Sequence, residues 1–294
     1  MQLEWLDDVV ALLEEGNLSR AAARRNITQP AFSRRISGFE DWLGFPVLDR
    51  QTNRIEINPA LRSNEQEIRA LITRLRELPN KLAHYEPSRS VITLAGQHAP
   101  LCSAFPRMAQ QAKGAFPGLQ FRLRAGNLDR CVSMFLRGDA DMLLCYEADN
   151  SEPMSFGPEI SRGLLDIDSL APVVGGALRS EVTDDGGIPS DTPAVIYPDD
   201  SYFGAVLRKT DRAFGTLESC ANPVCVTAFS SATKDMVLGG LGLGWLPLSM
   251  VHRELNSGEA RSLAQRYGQE ALRIMVYANR KSRLIDKVLS LWTD

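Results

Sequence analysis

Hydrogen-bonding and basic side chains recur along one side of the stretch from residue 29 to residue 43. Apolar side chains in this stretch are spaced by three or four residues, at Phe32, Ile36, Phe39 and Leu43. A helix with that spacing buries them on one face and turns other positions to solvent, namely Gln29, Ser33, Arg34 and Ser37. Amide, hydroxyl and guanidinium groups form the hydrogen bonds that distinguish base edges in a DNA major groove. The pattern therefore predicts a helix that contacts DNA bases.

A second, shorter helix is predicted just before this one. It contains the small residues Ala21–Ala23, which allow close packing, and Ser19 is its expected N-cap. A tight turn follows, in which Thr28 caps the helix over 29–43, and Gly44 ends that helix. Two short helices joined by a tight turn are typical of a helix-turn-helix, whose second helix enters a major groove.

The charge of this region agrees with a nucleic-acid partner. Residues 17–62 contain eight arginines, no lysine and four acidic residues, so the local charge is eight minus four, or +4, in a chain whose net charge is −3. The planar guanidinium of arginine forms forked contacts with phosphate and guanine that lysine cannot form. The alternative at this point is an ordinary helical hairpin with a solvated basic face.

A longer pattern joins these residues without a gap, at Ser19 to Ala22, Gln29 to Ile36, Glu40, Leu43-Gly44 and Arg50. It resembles the winged helix-turn-helix of LysR-type transcriptional regulators. The resemblance implies that double-stranded DNA is the partner, and that the wing strands lie near residues 47–48 and 55–57. The DNA-contacting residues that it implies are Ser19, Thr28, Gln29, Pro30, Ala31, Ser33 and Arg34 on the helices, with Arg35, Arg50 and Arg54 on phosphates. Arg25 departs from the leucine usual in the family.

Two further helices flank this motif. The first has an acidic outer face, and we expect it to lie away from DNA, behind the reading helix or at a partner; its acids are Glu4, Asp7, Asp8, Glu14 and Glu15. The second begins at Pro59 and has a heptad seam of Leu61, Ile68, Leu71, Leu75, Leu78, Leu82 and Tyr85. Because no second apolar face is evident, we expect a dimerising linker helix, as the resemblance implies, in preference to a helix packed on its own domain. Pro79 is expected to end or kink it near Leu78, before a hinge at 86–88.

Beyond the hinge, predicted strands and helices alternate, which is typical of a parallel α/β sheet. The resemblance implies a two-lobed, periplasmic-binding-protein-like effector domain. The predicted boundaries are 1–58 for the winged helix-turn-helix, 59–88 for the linker helix and hinge, and 89–294 for the effector domain. Within it, lobe I comprises 89–165 and 268–294, and lobe II comprises 166–267. Lobe II is expected to start with a strand at 170–174 and to contain a helix at 202–214.

Ligands of open α/β sheets bind beyond the carboxyl ends of the strands. Family effector sites use the loops at these ends, and the resemblance carries over six residues: His98, Asn127, Tyr146, Ser201, Phe203 and Ser231. Ser201 and Ser231 are each expected to begin a helix and to suit a carboxylate. Family members commonly bind aromatic or small organic acids, whereas Asp199 and Asp200 favour a ligand with an amine or hydroxyl group.

No catalytic motif emerges, so we expect a regulator and not an enzyme. The Gly239–Gly244 run precedes a predicted strand instead of following one, which excludes a nucleotide-binding loop. The three histidines are far apart, so neither a metal site nor a cofactor is expected.

No apolar run approaches a membrane span, and Met1 opens onto an amphipathic helix and not a signal sequence, so a cytoplasmic location is expected. The resemblance implies a homodimer that pairs into a homotetramer.

The signal that such a regulator senses stays open. The chain also resembles the hypochlorite-responsive member of the family, so an oxidant is the alternative to a small organic ligand. The five cysteines show no metal-binding spacing and fall mostly inside predicted elements, where thiols are usually inert. Cys220 and Cys225 are the candidates for an exception. Two other classes remain as alternatives: a solute-binding α/β protein with an incidental helical hairpin, and a structural nucleoid protein.

Overall fold

The computed structural model describes residues 3–49, 56–83, 90–149, 151–280 and 282–293. The chain divides into two compact units, Met1–Pro87 and Ser88–Asp294, each with its own hydrophobic core. Across the described ranges, no helix has the length and apolar character needed to cross a membrane.

The first unit contains the predicted helix-turn-helix. Its elements are α1 (Leu3–Glu15), α2 (Leu18–Arg24), α3 (Gln29–Leu43), β1 (Leu48–Asp49), β2 (Glu56–Ile57), α4 (Pro59–Ser63) and α5 (Glu65–Ala83). The predicted bounds of α3 are confirmed, with Thr28 as N-cap and Gly44 in the left-handed conformation at φ 68°. The Thr28 hydroxyl accepts a hydrogen bond from the Ala31 amide at 3.4 Å. β1 and β2 pair antiparallel, as expected of a wing.

Two local predictions for this motif are wrong. Asn17, not Ser19, caps α2, because the Asn17 side-chain oxygen accepts hydrogen bonds from the amides of Ser19 and Arg20 at 2.9 and 3.2 Å. Leu43 is predicted to face the core, but it lies in the last turn of α3 and is 43% exposed. Phe32, Ile36 and Phe39 are buried as predicted.

The acidic face of α1 forms ion pairs with other helices of its own unit. Asp8 is completely buried, and its carboxylate lies between the guanidinium groups of Arg25 and Arg35. Other acids of α1 also pair with arginines of the same unit; for example, Asp7 lies 2.7 Å from Arg76. The face is therefore an ion-pair surface on which the surrounding helices dock.

The linker helix also differs from its prediction. It is interrupted at Asn64, between α4 and α5, while α5 continues through Pro79, so the predicted end of the helix near Leu78 is wrong. Proline removes one amide donor, but the turns on both sides keep their helical conformation. Leu61 and Ile72 are buried in the core of the first unit, and the partly buried Ile68 and Leu75 pack against it. The expectation that no apolar face packs on its own domain is therefore wrong.

Part of the heptad seam is exposed among the described residues. Leu71 is 40% exposed and Leu78 is 46% exposed. The Leu82 side chain, Tyr85 and the predicted hinge at 86–88 lie outside what the structure describes.

The second unit has the predicted two-lobed α/β architecture. Its first lobe contains β3 (Val91–Gln97), α6 (His98–Ser103), α7 (Phe105–Ala115), β4 (Gln120–Gly126), α8 (Leu128–Leu136) and β5 (Met142–Ala148). β3 lies between β4 and β5 and is parallel to both.

The second lobe follows a long strand, β6 (Ile160–Gly175). Its elements are a 3₁₀ helix (Gly176–Glu181), β7 (Ala194–Ile196), α9 (Tyr202–Lys209), β8 (Pro223–Val226), α10 (Ser230–Leu238), β9 (Leu243–Pro247), α11 (Leu248–Ser257), β10 (Ala260–Ser262) and α12 (Ala264–Tyr267). The predicted helix 202–214 is too long, because α9 ends at Lys209 and the chain then turns through left-handed residues at Asp211 and Phe214. The strand expected at 170–174 is only the last part of β6.

β6 and β11 (Glu270–Asn279) join the two lobes. Up to Leu170, β6 pairs with β11, and from Leu170 to Val173 it pairs with β9 of the second lobe. β11 then pairs with β5, and α13 (Arg283–Thr293) packs on α7, where the Trp292 indole donates to the Met108 carbonyl at 3.0 Å. The predicted return of the chain to the first lobe is confirmed.

Candidate nucleic-acid interface and ligand cleft

The exposed side of α3 forms the candidate nucleic-acid interface. Gln29, Pro30 and Arg34 are exposed, and Ala31 and Ser33 are half-buried. Arg34 has no ion pair with any residue that the structure describes, so its five N–H donors are open to a ligand. The helix therefore presents one amide and one unpaired guanidinium on a solvated face. Ser19 and Thr28 are also exposed, at the starts of α2 and α3.

Other arginines of the motif are occupied within the unit. The Nε of Arg25 donates to Asp8 at 2.6 Å, and Arg35 contacts the same carboxylate at 3.4 Å and Glu4 at 3.4 Å. The sequence predicts a phosphate contact for Arg35, whereas in this structure its guanidinium is held by two carboxylates of α1. Arg50 and Arg54, the other predicted phosphate contacts, lie outside the described residues.

A cavity of about 510 Å³ lies in the second unit, beyond the carboxyl ends of β3, β4 and β7. Five of the six predicted ligand residues line it: His98, Asn127, Tyr146, Ser201 and Phe203. Ser231 does not, because α10 begins one residue earlier than the helix start expected there, and Ser230 lines the cavity instead. The elements therefore bring residues from both lobes to one cleft.

Aromatic rings form much of the cavity wall. The ring of Phe203 lies 5.7 Å from that of Tyr146, 5.3 Å from Tyr197 and 5.5 Å from Tyr202, measured between ring centroids. Phe229 also lines the cavity and is 64% exposed. Such a wall suits an apolar or aromatic part of a ligand.

Several hydroxyl groups at the cleft are already used by the fold. Ser201 donates to the Pro198 carbonyl at 2.6 Å and accepts from the Gly204 amide at 3.1 Å, which caps α9. The Tyr197 hydroxyl donates to Ser230 at 3.0 Å. The sequence predicts that Ser201 offers its hydroxyl to a carboxylate, but its proton is committed to the backbone here.

A buried carboxylate behind the cavity connects the two lobes. Asp168 on β6 accepts hydrogen bonds from the Tyr146 hydroxyl at 2.8 Å, the Ser249 hydroxyl at 2.5 Å, and the amides of Ser249 and Ser169 at 3.1 and 2.8 Å. Burial, and then the charge of Asp168, raises the pKa of Tyr146 well above its usual value, so Tyr146 remains a neutral donor. The cavity wall on lobe I is thereby tied to the start of α11 on lobe II.

Comparison with known proteins decides the family. The family model described as a bacterial regulatory helix-turn-helix protein of the lysR family matches residues 3–60, and that of the LysR substrate binding domain matches residues 86–293. This chain belongs to the LysR family. It is a LysR-type DNA-binding transcriptional regulator with an effector-binding domain.

Three relatives illustrate the similarity of this LysR-type regulator to known proteins. The HTH-type transcriptional regulator YjiE of Escherichia coli is 26% identical over 263 residues, which span 88% of this chain and 82% of YjiE. The crystal structure of Vibrio fischeri DarR in complex with DNA has a TM-score of 0.61 at 23% identity, covering 100% of this chain and 99% of DarR. Full-length HypT, a hypochlorite-specific regulator from Salmonella typhimurium, has a TM-score of 0.57 at 21% identity, covering 99% and 97%.

Sequence reasoning misses one charged residue of the regulator's cleft and leaves another out of its predicted ligand set. Arg130 lines the cavity from the first turn of α8, three residues after the predicted Asn127, whose side chain caps that helix by accepting from the Arg130 amide at 3.1 Å. Helical spacing from Asn127 is the signal that could have identified it. Asp200 is noticed in the sequence but left out of the predicted ligand set, and it also lines the cavity.

The cysteines of the regulator differ in accessibility. Cys131 and Cys145 are fully buried, and burial raises the pKa of Cys131 to about 11 and that of Cys145 well above its usual value. Both are therefore neutral, unreactive thiols. Of the suggested exceptions, Cys220 is also buried and Cys225 is half-buried. Cys102 is exposed on α6, with its sulfur 3.8 Å from the His98 Nδ1.

Proposed function

We propose that this LysR-type regulator is a cytoplasmic, non-enzymatic homodimer that pairs into a homotetramer. Its DNA binding changes when a small organic ligand occupies the cleft. The proposed division of labour is DNA binding by 1–58, dimerisation by 59–88 and ligand binding by 89–294. The exposed Leu71 and Leu78 on α5 support a second copy as the partner of that helix.

The observation that carries the ligand response is the bridged cavity. Tyr146 forms part of its wall, and Asp168 connects Tyr146 to Ser249 at the start of α11. A ligand that moves the Tyr146 ring therefore acts on the junction between the lobes. Such a ligand shifts the regulator only if it binds one lobe arrangement better than the other.

For DNA recognition, we assign base contacts to Gln29, Ser33 and Arg34, with Pro30 and Ala31 beside them. The unpaired guanidinium of Arg34 supports this assignment, because a bidentate arginine–guanine contact contributes about 1–3 kcal/mol of discrimination. Such contacts are what separate a sequence-specific regulator from a nucleoid protein that coats DNA.

The test is DNA binding by the full-length protein, measured by fluorescence anisotropy. Duplexes selected in vitro from a random pool serve as specific sites, and unselected duplexes as competitors. We expect Arg34→Ala to weaken binding to the selected duplex by roughly 5- to 150-fold and to reduce its preference over unselected DNA. Arg253→Ala removes an exposed arginine from α11 and is the matched control, expected to bind normally. If the Arg34 variant binds both kinds of duplex as tightly as the unsubstituted protein does, the assignment is contradicted.

An oxidant is the second candidate signal, and the accessible Cys102 beside His98 favours it. Hypochlorous acid would convert this thiol to a sulfenic acid, with release of chloride and a proton. If this is the signal, Cys102→Ser abolishes the effect of hypochlorite on DNA binding, while Cys225→Ser keeps it. An unchanged response in the Cys102 variant excludes the thiol as the sensor.

A further inference from the structure

Two opposite charges line the cavity and have no charged partner among the residues that the structure describes. Arg130 extends from α8 of lobe I, and Asp200 lies just before α9 of lobe II. Among the residues that line the cavity, Arg130 is the only arginine or lysine and Asp200 is the only aspartate or glutamate. His98 is the remaining basic side chain of the lining. An occupant of this cleft therefore meets a cation from one lobe and an anion from the other.

Arg130 lies in the first turn of α8, close to the end of β4. Its Cδ is near Gly126, the last residue of β4, where an added Cβ would lie at an ordinary van der Waals distance of 3.4 Å. Asn127 lies between them in sequence and also lines the cavity. Its side-chain oxygen is used as the α8 cap, so its NH₂ group is what remains for a ligand. Arg130 and Asn127 together offer N–H donors, which match a carboxylate.

The side of the cleft formed by lobe II is acidic. Asp200 is exposed to the cavity, and the adjacent Asp199 has one carboxylate oxygen that is enclosed without a hydrogen-bond partner in the described structure. Two neighbouring carboxylates repel a second anion and attract an ammonium group. A purely anionic ligand satisfies only Arg130, and a purely cationic ligand satisfies only Asp200.

We infer that the effector is a zwitterion with an apolar body, such as an α-amino acid, whose carboxylate binds Arg130 and Asn127 and whose ammonium group binds Asp200. The apolar body packs on Phe203 and Phe229, which form part of the aromatic wall. This inference rests on the proposed ligand response and specifies the chemistry of the ligand. It also explains why charges of both signs face a single cavity.

The experiment uses the full-length protein and matched sets of probes, each with the same side chain. One set is L-phenylalanine, 3-phenylpropanoate and 2-phenylethylamine, and another is L-leucine, 4-methylpentanoate and 3-methylbutylamine. The remaining protein amino acids and their deaminated and decarboxylated counterparts complete the panel. Binding at millimolar concentration is screened by thermal shift and quantified by calorimetry. We expect at least one amino acid to bind about tenfold or more tightly than both of its singly charged counterparts.

Two variants separate the contributions of the charges. Asp200→Asn is expected to remove the advantage of the amino acid over its deaminated acid, and Arg130→Gln its advantage over the amine. Asp129→Asn and Arg253→Gln, at exposed positions outside the cavity lining, are the matched controls and keep both advantages. Both cleft side chains are exposed and unpaired in the described structure, so neither substitution is expected to affect folding.

The inference is overturned if no amino acid in the panel binds, or if a singly charged acid or amine binds as tightly as its amino acid. Anisotropy on selected DNA, measured on the same preparation, distinguishes failure of the proposed function from failure of the zwitterion inference. Loss of specific DNA binding refutes the proposed function. Specific DNA binding that responds only to a singly charged probe leaves that function intact and refutes the zwitterion.

Discussion

Replacing Asp8 by asparagine tests how the helix-turn-helix is held together. The substitution Asp8→Asn keeps the shape of the side chain but removes the charge that faces Arg25 and Arg35. Removing one partner of a fully buried ion pair costs about 3–5 kcal/mol, whereas an exposed pair contributes roughly 0–1 kcal/mol. Here the carboxylate is completely buried, but the two guanidinium groups are 28% and 34% exposed, so water screens part of the loss. We expect the unit to lose about 1–3 kcal/mol of stability.

Glu4→Gln is the matched control, because Glu4 pairs with the same Arg35 but is 61% exposed. Its expected cost is below about 0.5 kcal/mol. Hydrogen exchange of peptides from α1 to α3, measured by mass spectrometry in the full-length protein, reports the local opening free energy. We expect Asp8→Asn to accelerate exchange by roughly 5- to 150-fold there and to leave the second unit unchanged. Equal exchange in the two variants refutes the reasoning that burial makes Asp8 the important partner.

Two further predictions concern the second unit. Asp168→Asn replaces an acceptor of four hydrogen bonds by a group that also donates, and we expect chemical denaturation to show that the free energy of unfolding falls by about 1–3 kcal/mol. The control is Asp166→Asn, which removes an exposed pair with Arg107 and is expected to change that free energy by less than about 0.5 kcal/mol. Equal losses in the two variants would contradict the importance of the buried Asp168. Alkylation of the native protein at mildly alkaline pH is expected to modify Cys102 and to spare Cys131, whose thiol has a pKa of about 11. Peptide mapping that finds Cys131 modified as fast as Cys102 would contradict the buried assignment.

Local signals in the sequence are sufficient for several elements. The bounds of α3 follow from Thr28 and Gly44, which act on adjacent backbone groups. Alternation of strands and helices predicts an α/β sheet, and the family resemblance implies its two lobes. The Ser19 cap fails because Asn17, two residues earlier, forms the same kind of bond with the same helix end.

Long-range pairing explains most of what the sequence does not reveal. Helical periodicity places Asp8 on an outer face. The pattern contains no information about Arg25 and Arg35, the partners of Asp8, because they are 17 and 27 residues away in sequence. The packing of Ile72 on the core of its own unit is missed for the same reason.

The cleft can be located from strand ends, but its composition depends on where each helix begins. A shift of one residue at α10 exchanges Ser231 for Ser230 in the cavity wall. Arg130 is missed because it lies a full helical turn beyond the strand end. Ser201 is found, but only the structure shows that Pro198 already accepts its proton.

The most direct test of the central claim is a genome-wide map of binding sites by chromatin immunoprecipitation at native expression. We expect a small number of discrete sites that share one sequence, and loss of those sites in the Arg34→Ala variant. Sites beside genes for transport or breakdown of one class of metabolite would support a small organic ligand, and sites beside oxidant-defence genes would support the oxidant. Uniform coverage of the genome, or no discrete sites in any growth condition, would contradict a sequence-specific regulator.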